Sequence, residues 1–268
     1  MHETRYVHGY SSRESLRLAD QANALADLLH HDTVFAQGSL VLECGCGTGA
    51  QTVHLAARNP QAHLISVDIS PESLEQARQR VVSAGHRNVE FRLADIFHLP
   101  FDDGQFDHVF VCFVLENLSD PVAALRAVTR LLRKGGLLTA IEGDHGSWYC
   151  HPPSPSASLA VQCLIDLQAR LGGDSLVGRR LYPLVREAGL RDVHVSPRMV
   201  YVDSSRPDLV ESFTRNTFIA MVEGVRDQAL SLGLIDQPAW DRGIADLYRA
   251  TESDGTFCYT FFKATATL

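Results

Sequence analysis

Between residues 39 and 144, short continuously apolar runs alternate with amphipathic stretches. This alternation limits the fold more than any other feature of the chain. The runs SLVLECG, HLISVDI, VEFRLAD, FDHVFVCFV and LLTAIEG are expected as five strands. The first connecting helix is placed from Thr48 to Arg58. SPESLEQARQRVVSAG reads as the second, with Ser70 as cap, Pro71 at the first helical position, Glu72 at the positive end and Gly85 as the stop. DPVAALRAVTRLLRKGG repeats the signals, with Asp120 as cap, Pro121 next and Lys-Gly-Gly as the stop. Strands that are apolar throughout are buried on both faces. The fold class expected is therefore α/β, a Rossmann-like parallel sheet with helices on both sides. Such sheets bind ligands at the carboxyl ends of their strands. That rim carries Glu43, Asp68, Asp95, Cys112 to Glu116, and the pair Asp144 and His145.

The flanks complete a single domain over residues 1–268. A cap helix at 5–30 lies within segment 1–38, and Ser11 with Glu14 fits a capping box at its start. The ligand-binding core is 39–145. Segment 146–192 is a Pro/Ser loop followed by helices near 156–171 and 178–188. Strands at 193–202 and 256–264 bring the sheet to seven. The insertion between them, 204–255, is long for a loop and is expected as a helical lid.

A net charge of −8 and a pI near 5.8 argue against nucleic acid or an anionic membrane surface as partner, since both need a basic footprint. No run of 18 apolar residues is present, so no membrane span is expected. MHETRYVHGYSS lacks the apolar stretch of a signal peptide. The six cysteines include no CxxC pair and read as reduced thiols, so a cytoplasmic location is expected. No second pair accompanies Cys44 and Cys46 at zinc spacing, and no metal is expected.

The loop LECGCGTGAQT follows the first strand, with Gly45, Gly47 and Gly49 at GxGxG spacing. The GxGxxG gap that brings a helix up to a dinucleotide pyrophosphate is missing. Three acids then define a ligand. Glu43 would repel a diphosphate and favour an ammonium group. Asp68 can accept from both hydroxyls of a ribose, and Asp95 from an adenine amine. An amine, a ribose and adenine without phosphate describe S-adenosylmethionine.

Together, LECGCGTG, VDIS, ADIFHLPF, FDHVFVCFVLENL and LRKGGLL resemble the class I S-adenosylmethionine-dependent methyltransferases, in their UbiE/Coq5-like small-molecule branch. The resemblance covers roughly residues 39–145. It implies cofactor contacts at Glu43, Gly45, Cys46, Gly47, Asp68, Ile69, Asp95, Ile96, Cys112 and Phe113. Members of the family commonly have His after the Glu of the fourth-strand motif, whereas here Asn117 follows Glu116. In this fold the N-terminal helix covers the methionine end of the cofactor. Gln21, one turn after Arg17, is therefore expected at the cofactor carboxylate, the alternative being a surface pairing of Arg17 with Asp20 or Glu14. Tyr6, His8 and Tyr10 precede the helix, where the family closes aromatics over the active site.

Methyl transfer needs water excluded, the reactants aligned and, for some acceptors, a proton removed. His145 is the first candidate base, because its ordinary pKa lies near operating pH. Glu116 is the second, and Asp144 could orient His145 if the chain turns there. Trp148, Tyr149, Phe113 and Tyr10 would wall an aromatic pocket suited to a planar or cationic molecule. Tyr6 is expected in the same site. The lid adds Phe218 and Met221, on one helical face with Val225. Arg179 and Arg198 either bind a substrate carboxylate or form structural ion pairs. YVHGYSSRESLRL, IEGDHGSWY, SPRMVYVD and DGTFCYTFFK are similar to bacterial natural-product methyltransferases, among them enzymes that methylate indole C3. The resulting expectation is a methyltransferase of a small aromatic molecule, with C3-methylation of an indole and closure to a pyrroloindoline. The alternatives are O- or N-methylation of a phenol, quinol or amine, a cofactor-binding protein without catalysis, and a nicotinamide-dependent oxidoreductase. A homodimer is compatible with each.

Overall fold

The computed structural model describes residues 12–268. Its main elements in chain order are α1 (Ser12–His30), β1 (Leu40–Cys44), α2 (Ala50–Arg58), β2 (His63–Asp68), α3 (Pro71–Ser83), β3 (Val89–Leu93), β4 (Phe106–Cys112), α4 (Pro121–Thr129), β5 (Leu132–Gly143), β6 (Tyr149–His151), α5 (Pro155–Arg170), α6 (Leu181–Glu187), β7 (Arg191–Asp203) and β8 (Thr256–Thr267). The chain divides into two compact units. One comprises Ala26–Gly143, Val177–Arg198 and Phe261–Leu268. Among the described residues, the other comprises 12–25, Asp144–Leu176 and Met199–Thr260.

The first unit holds the sheet, in the order β3-β2-β1-β4-β5-β8. Strands β1 to β5 run parallel, and the residues of β8 from Phe261 onward pair antiparallel with β5. The strand order reverses between β1 and β4, where Cys44 pairs with Val67 on one side and Val111 on the other. In sheets of this kind such a switch point, at the carboxyl ends of the strands, is the usual place for a ligand. The expected caps are present. Ser70 Oγ accepts from the Ser73 amide, and Asp120 Oδ1 from that of Ala123.

Two expectations need correction. LLRKGG does not continue α4, which ends at Thr129. Leu132 pairs with Phe106, and the register then shifts before His108 pairs with Leu137. Burial of Leu131 and Leu132 outweighs their helix propensity, and Gly135 and Gly136 form the irregularity. The sheet also gains an eighth strand. Tyr149–His151, expected as irregular loop, pairs as β6 with Thr256–Cys258 of β8.

Long-range polar contacts fasten the edge of the first unit. The Lys263 ammonium is 2% exposed and donates to Asp32 Oδ1 at 2.6 Å, to Thr33 Oγ1 at 2.7 Å and to the Leu29 carbonyl at 3.4 Å. Arg198 pairs with the other oxygen of Asp32, so Arg198 has the structural ion-pair role of its two expected uses. These three acceptors compensate a buried ammonium that would otherwise be costly.

In the second unit, α5 packs against the helix Gln237–Arg249. A Cβ on Gly243 would lie 2.6 Å from the Ser156 carbonyl oxygen, so the two helices approach over a residue without a side chain. Residues 204–255 are largely helical and include a π-helical stretch, Val210–Ile219. Its wider turn sets Phe213 and Phe218 together against Phe257 and Tyr259 of β8. Among the described residues no helix is long and apolar enough to cross a membrane.

Two buried histidines make the first unit sensitive to acid. His30 hydrogen-bonds Gln51 at 2.7 Å, and His108 hydrogen-bonds Thr139 at 2.9 Å. Burial lowers each from 6.5 to about 4, and the charge on Lys263 adds to the effect. Between these values the unfolded chain binds the proton and the folded chain does not. Their contribution to stability is therefore complete above about pH 6.5 and lost as pH falls towards 4. The linkage amounts to a few kcal/mol per histidine, on the order of 1.4 kcal/mol per pKa unit. In urea unfolding, the midpoint of His108→Gln should fall less between pH 6.5 and pH 4.5 than that of the wild type. Equal pH slopes would contradict the assignment.

Candidate functional site

The glycine loop joins β1 to α2 beneath the switch point. The amides of Gly45 and Cys46 both donate to the Val67 carbonyl, at 2.8 and 3.0 Å, so the loop is tied to the end of β2. Gly45 and Gly49 are both left-handed, with φ of 72° and 77°. A Cβ on Gly45 would stand 2.4 Å from a methyl of Val114, and one on Gly49 2.8 Å from the Ala77 Cα. Both positions therefore require glycine sterically as well as conformationally. Gly49 also stands as the N-cap of α2 without a side chain to offer, which leaves amides of the first turn available to a ligand. In the middle of the loop, Thr48 Oγ1 is buried without a partner among the described residues. The helix expected from Thr48 begins instead at Ala50, so Thr48 stands in the loop, where its residue type alone gives no signal of a site role.

The three rim acids have different environments. Glu43 is buried, and its Oε2 accepts from Ser66 Oγ at 2.6 Å and Thr52 Oγ1 at 2.9 Å. Burial pushes its carboxyl up to about 7, opposed by the two hydroxyls and aided by nearby Asp68. Asp68 Oδ2 accepts from the Gly47 amide at 2.8 Å, and Oδ1 from the Ser70 amide at 2.9 Å. Burial raises this carboxyl as well, against those backbone donors. Beside it, Ile69 is 57% exposed, an apolar surface at the strand end suited to the face of a flat ring. Asp95 turns at the end of β3, accepting from the Phe97 amide at 2.9 Å and lying 3.3 Å from His98 Nδ1. Ile96 packs against the core. The Cys46 and Cys112 thiols are pushed well up by burial, and so present neutral walls. The set matches an adenosyl ligand: a glycine cradle, an orphaned hydroxyl, a strand-end Asp and an exposed Ile.

The tip of β4 is strained. Phe113 has φ of 58°, rare for a residue with a bulky side chain. Its amide donates to the Ile141 carbonyl at 2.9 Å, and its ring lies 5.5 Å from that of Phe261. The short turn Leu115–Asn117 follows, carrying Glu116. Beneath it lies Glu142, which sequence reasoning took for an ordinary residue of the fifth strand. Glu142 is 0% exposed, and its Oε1 accepts from the Val114 amide at 3.0 Å and the Leu115 amide at 2.8 Å.

The second unit contains the other expected residues. His145 is 6% exposed. Its amide donates to the Ser175 carbonyl, and its Nδ1 lies 2.7 Å from the Tyr259 hydroxyl. Tyr259 was not expected at the site, because 114 residues separate it from His145. Asp144 forms the turn itself, with Oδ1 accepting from the Gly146 amide at 3.0 Å. The Trp148 ring lies 5.8 Å from Phe218 and is stacked 6.3 Å from Phe257. His145, Trp148 and Tyr149 line a cavity of about 340 Å³, with Val161, Gln162 and Ile165 of α5 on its wall. Tyr149 is 54% exposed, whereas Phe218 and Met221 are buried. On α1, Arg17 Nη1 donates to Gln21 Oε1 at 3.0 Å, so the i, i+4 pair is formed. Tyr6, His8, Tyr10 and Ser11 lie outside the described residues. Among the described residues no group of three or more His, Cys, Asp or Glu is placed to hold a metal ion.

Residues 42–140 match the family described as "Methyltransferase domain". The chain is 30% identical to 27-O-demethylrifamycin SV methyltransferase of Amycolatopsis mediterranei, over 83% of this chain and 76% of that protein. It is 33% identical to an uncharacterized 37.1 kDa protein in transposon Tn4556 of Streptomyces fradiae, over 79% of this chain. That match spans 61% of the transposon protein's own length. Among solved structures, Haemonchus contortus phosphoethanolamine N-methyltransferase 2, in complex with phosphomonomethylethanolamine and S-adenosylhomocysteine, is similar in fold. Its TM-score is 0.55 at 18% identity, with 92% of this chain and 52% of that chain covered.

If Asp68 holds the ribose, Asp68→Ala should weaken S-adenosylhomocysteine binding at least tenfold, about 1.4 kcal/mol or more. Asp68→Asn should retain part of that affinity through its remaining carbonyl. Calorimetric titration checks both, and an unchanged Kd in Asp68→Ala would remove the residue from the site.

Proposed function

The chain belongs to the class I S-adenosylmethionine-dependent methyltransferases, and we propose that it methylates a small aromatic molecule. The observation that carries the proposal is the cavity bounded by His145 and Trp148, with the His145 imidazole fixed by the Tyr259 hydroxyl. A flat acceptor gains dispersion and quadrupole contacts from such walls. The imidazole can take a proton from it. In the cofactor site, Asp68 would accept from the ribose hydroxyls, Ile69 would support the adenine, and the loop from Gly45 to Gly49 would admit the methionine end at backbone distance. The bound cofactor supplies an electrophilic methyl group on a sulfonium.

Within this reading the acceptor is an indole. The C3 electron pair forms the new carbon–carbon bond to the methyl, and the sulfonium leaves as a neutral thioether. The resulting iminium at C2 is closed by a nitrogen of the side chain, which gives its proton to a base, His145 or Glu116, and completes a pyrroloindoline. This balance needs no oxidant. A second reading is O-methylation of a phenol or related hydroxyl. It is favoured by the name of a relative, 27-O-demethylrifamycin SV methyltransferase, which points to methylation on oxygen in that protein. There His145 would deprotonate the hydroxyl during transfer.

Methyl-deuterated S-adenosylmethionine, offered with a panel of indoles, tryptophan diketopiperazines, phenols, quinols and amines, tests the proposal by mass spectrometry. Label at indole C3 supports the first reading, and label on oxygen the second. Label confined to aliphatic amines would overturn the aromatic proposal. With the identified acceptor, His145→Ala should lower turnover by about 10²- to 10⁴-fold, the usual range for a general base. Tyr259→Phe should lower it less, and both variants should keep S-adenosylhomocysteine affinity within about threefold. Normal turnover in His145→Ala would remove the base.

A further inference from the structure

Glu142 stands apart from the other buried acids. Glu43 receives two side-chain hydroxyls, whereas Glu142 gives one oxygen to the backbone of a turn and leaves the other without a protein partner among the described residues. An ionised carboxylate with a dry, unpartnered oxygen would be very costly. Burial therefore favours the neutral acid over the carboxylate at this position. Burial pushes its carboxyl well up, and the nearby Glu116 charge pushes it further. In the neutral form a carbonyl oxygen at Oε1 still accepts from both amides.

The residues that Oε1 holds connect two parts of the cofactor site. The Val114 amide is bound to Glu142, and the Val114 methyls occupy the space a side chain on Gly45 would need. Immediately upstream, Phe113 is held left-handed by its own bond to Ile141. Without a fixed acceptor for the amides of Val114 and Leu115, the turn keeps only the Phe113 amide's bond to Ile141 and its own short bonds, in which Asn117 donates to the carbonyls of Phe113 and Val114, and the opposition to relaxation of Phe113 to an ordinary φ is weakened. That relaxation would withdraw Val114 from the glycine loop. Strain of this kind persists only where surrounding contacts over-determine it.

We propose that Glu142 is a positioning residue for the cofactor: its carbonyl oxygen fixes the Phe113–Leu115 turn so that Val114 closes against Gly45 and sets the width of the cofactor crevice. The inference rests on S-adenosylmethionine being the cofactor. It makes a neutral acceptor at position 142 sufficient, and charge there dispensable.

The test is calorimetric titration of S-adenosylhomocysteine into the 268-residue chain and its Glu142→Gln, Glu142→Leu and Val114→Ala variants. The titration is run at a temperature where circular dichroism shows each to be folded. Glu142→Leu should lose affinity at least tenfold, and Val114→Ala several-fold. Glu142→Gln, which keeps the acceptor, should recover affinity to within about threefold of wild type. In the double variant Glu142→Leu/Val114→Ala, the losses should not add, because both act through one contact. A merely structural Glu142 would lower Tm in the Leu variant and leave Kd of the folded protein unchanged, which overturns the proposal. Additive losses, or a Gln variant as weak as the Leu variant, overturn it as well. Should the Leu variant not fold, an unchanged Kd in Val114→Ala decides against the proposal, and a several-fold loss there with recovery in Glu142→Gln decides for it. Failure of the wild type to bind S-adenosylhomocysteine would instead remove the cofactor assignment itself.

Discussion

The contact on which the first unit's site depends is the one between Val114 and Gly45. β1 and β4 run parallel side by side, and the sheet extends from β1 to β2 on one side and from β4 to β5 on the other. Between them the β1 loop and the β4 tip meet closely enough that a single added carbon would collide at 2.4 Å. Close packing of this kind fixes geometry to tenths of an ångström, which a ligand cradle made of backbone requires. The loop is anchored on its other side by Val67 and by the Asp68 carboxylate. The cradle is thus held from two strands at once.

Its electrostatics follow from burial. Glu43 and Glu142 are deep, and both carboxyls are pushed up. Asp68 is shallower and supported by backbone amides. A rim built from acids and first-turn amides suits a ligand that carries hydroxyls and an amine. It disfavours a diphosphate, which would face carboxyl groups at the same strand ends. The second unit has a different character. Aromatic rings from the loop, the π-helical stretch and β8 pack on one another, with one imidazole fixed among them by a phenol.

Much of the first unit was legible in the sequence because its signals are local. Ser70, Pro71, Asp120 and Pro121 mark helix starts by chemistry that acts within three residues. Gly45 and Gly49 announce turns that only glycine permits. What escaped was non-local or too short to show a period. LLRKGG has helical composition, and only its pairing with β4 makes a strand of it. β6 is three residues long. Lys263 has its partner in Asp32, 231 residues away, where no local pattern points to it. Tyr259 is hidden from His145 in the same way. Glu142 sits in an apolar run, where alternation gives no hint that one oxygen holds a turn 27 residues upstream.

The most direct measurement is a crystal structure of the protein with S-adenosylhomocysteine. The account predicts both ribose hydroxyls on Asp68 at roughly 2.6–3.0 Å, adenine against Ile69 with its amine towards Asp95, and the Val114–Gly45 contact retained. A nucleoside bound elsewhere, or an Asp68 that keeps only Gly47 and Ser70 while the ribose lies out of reach, would contradict it.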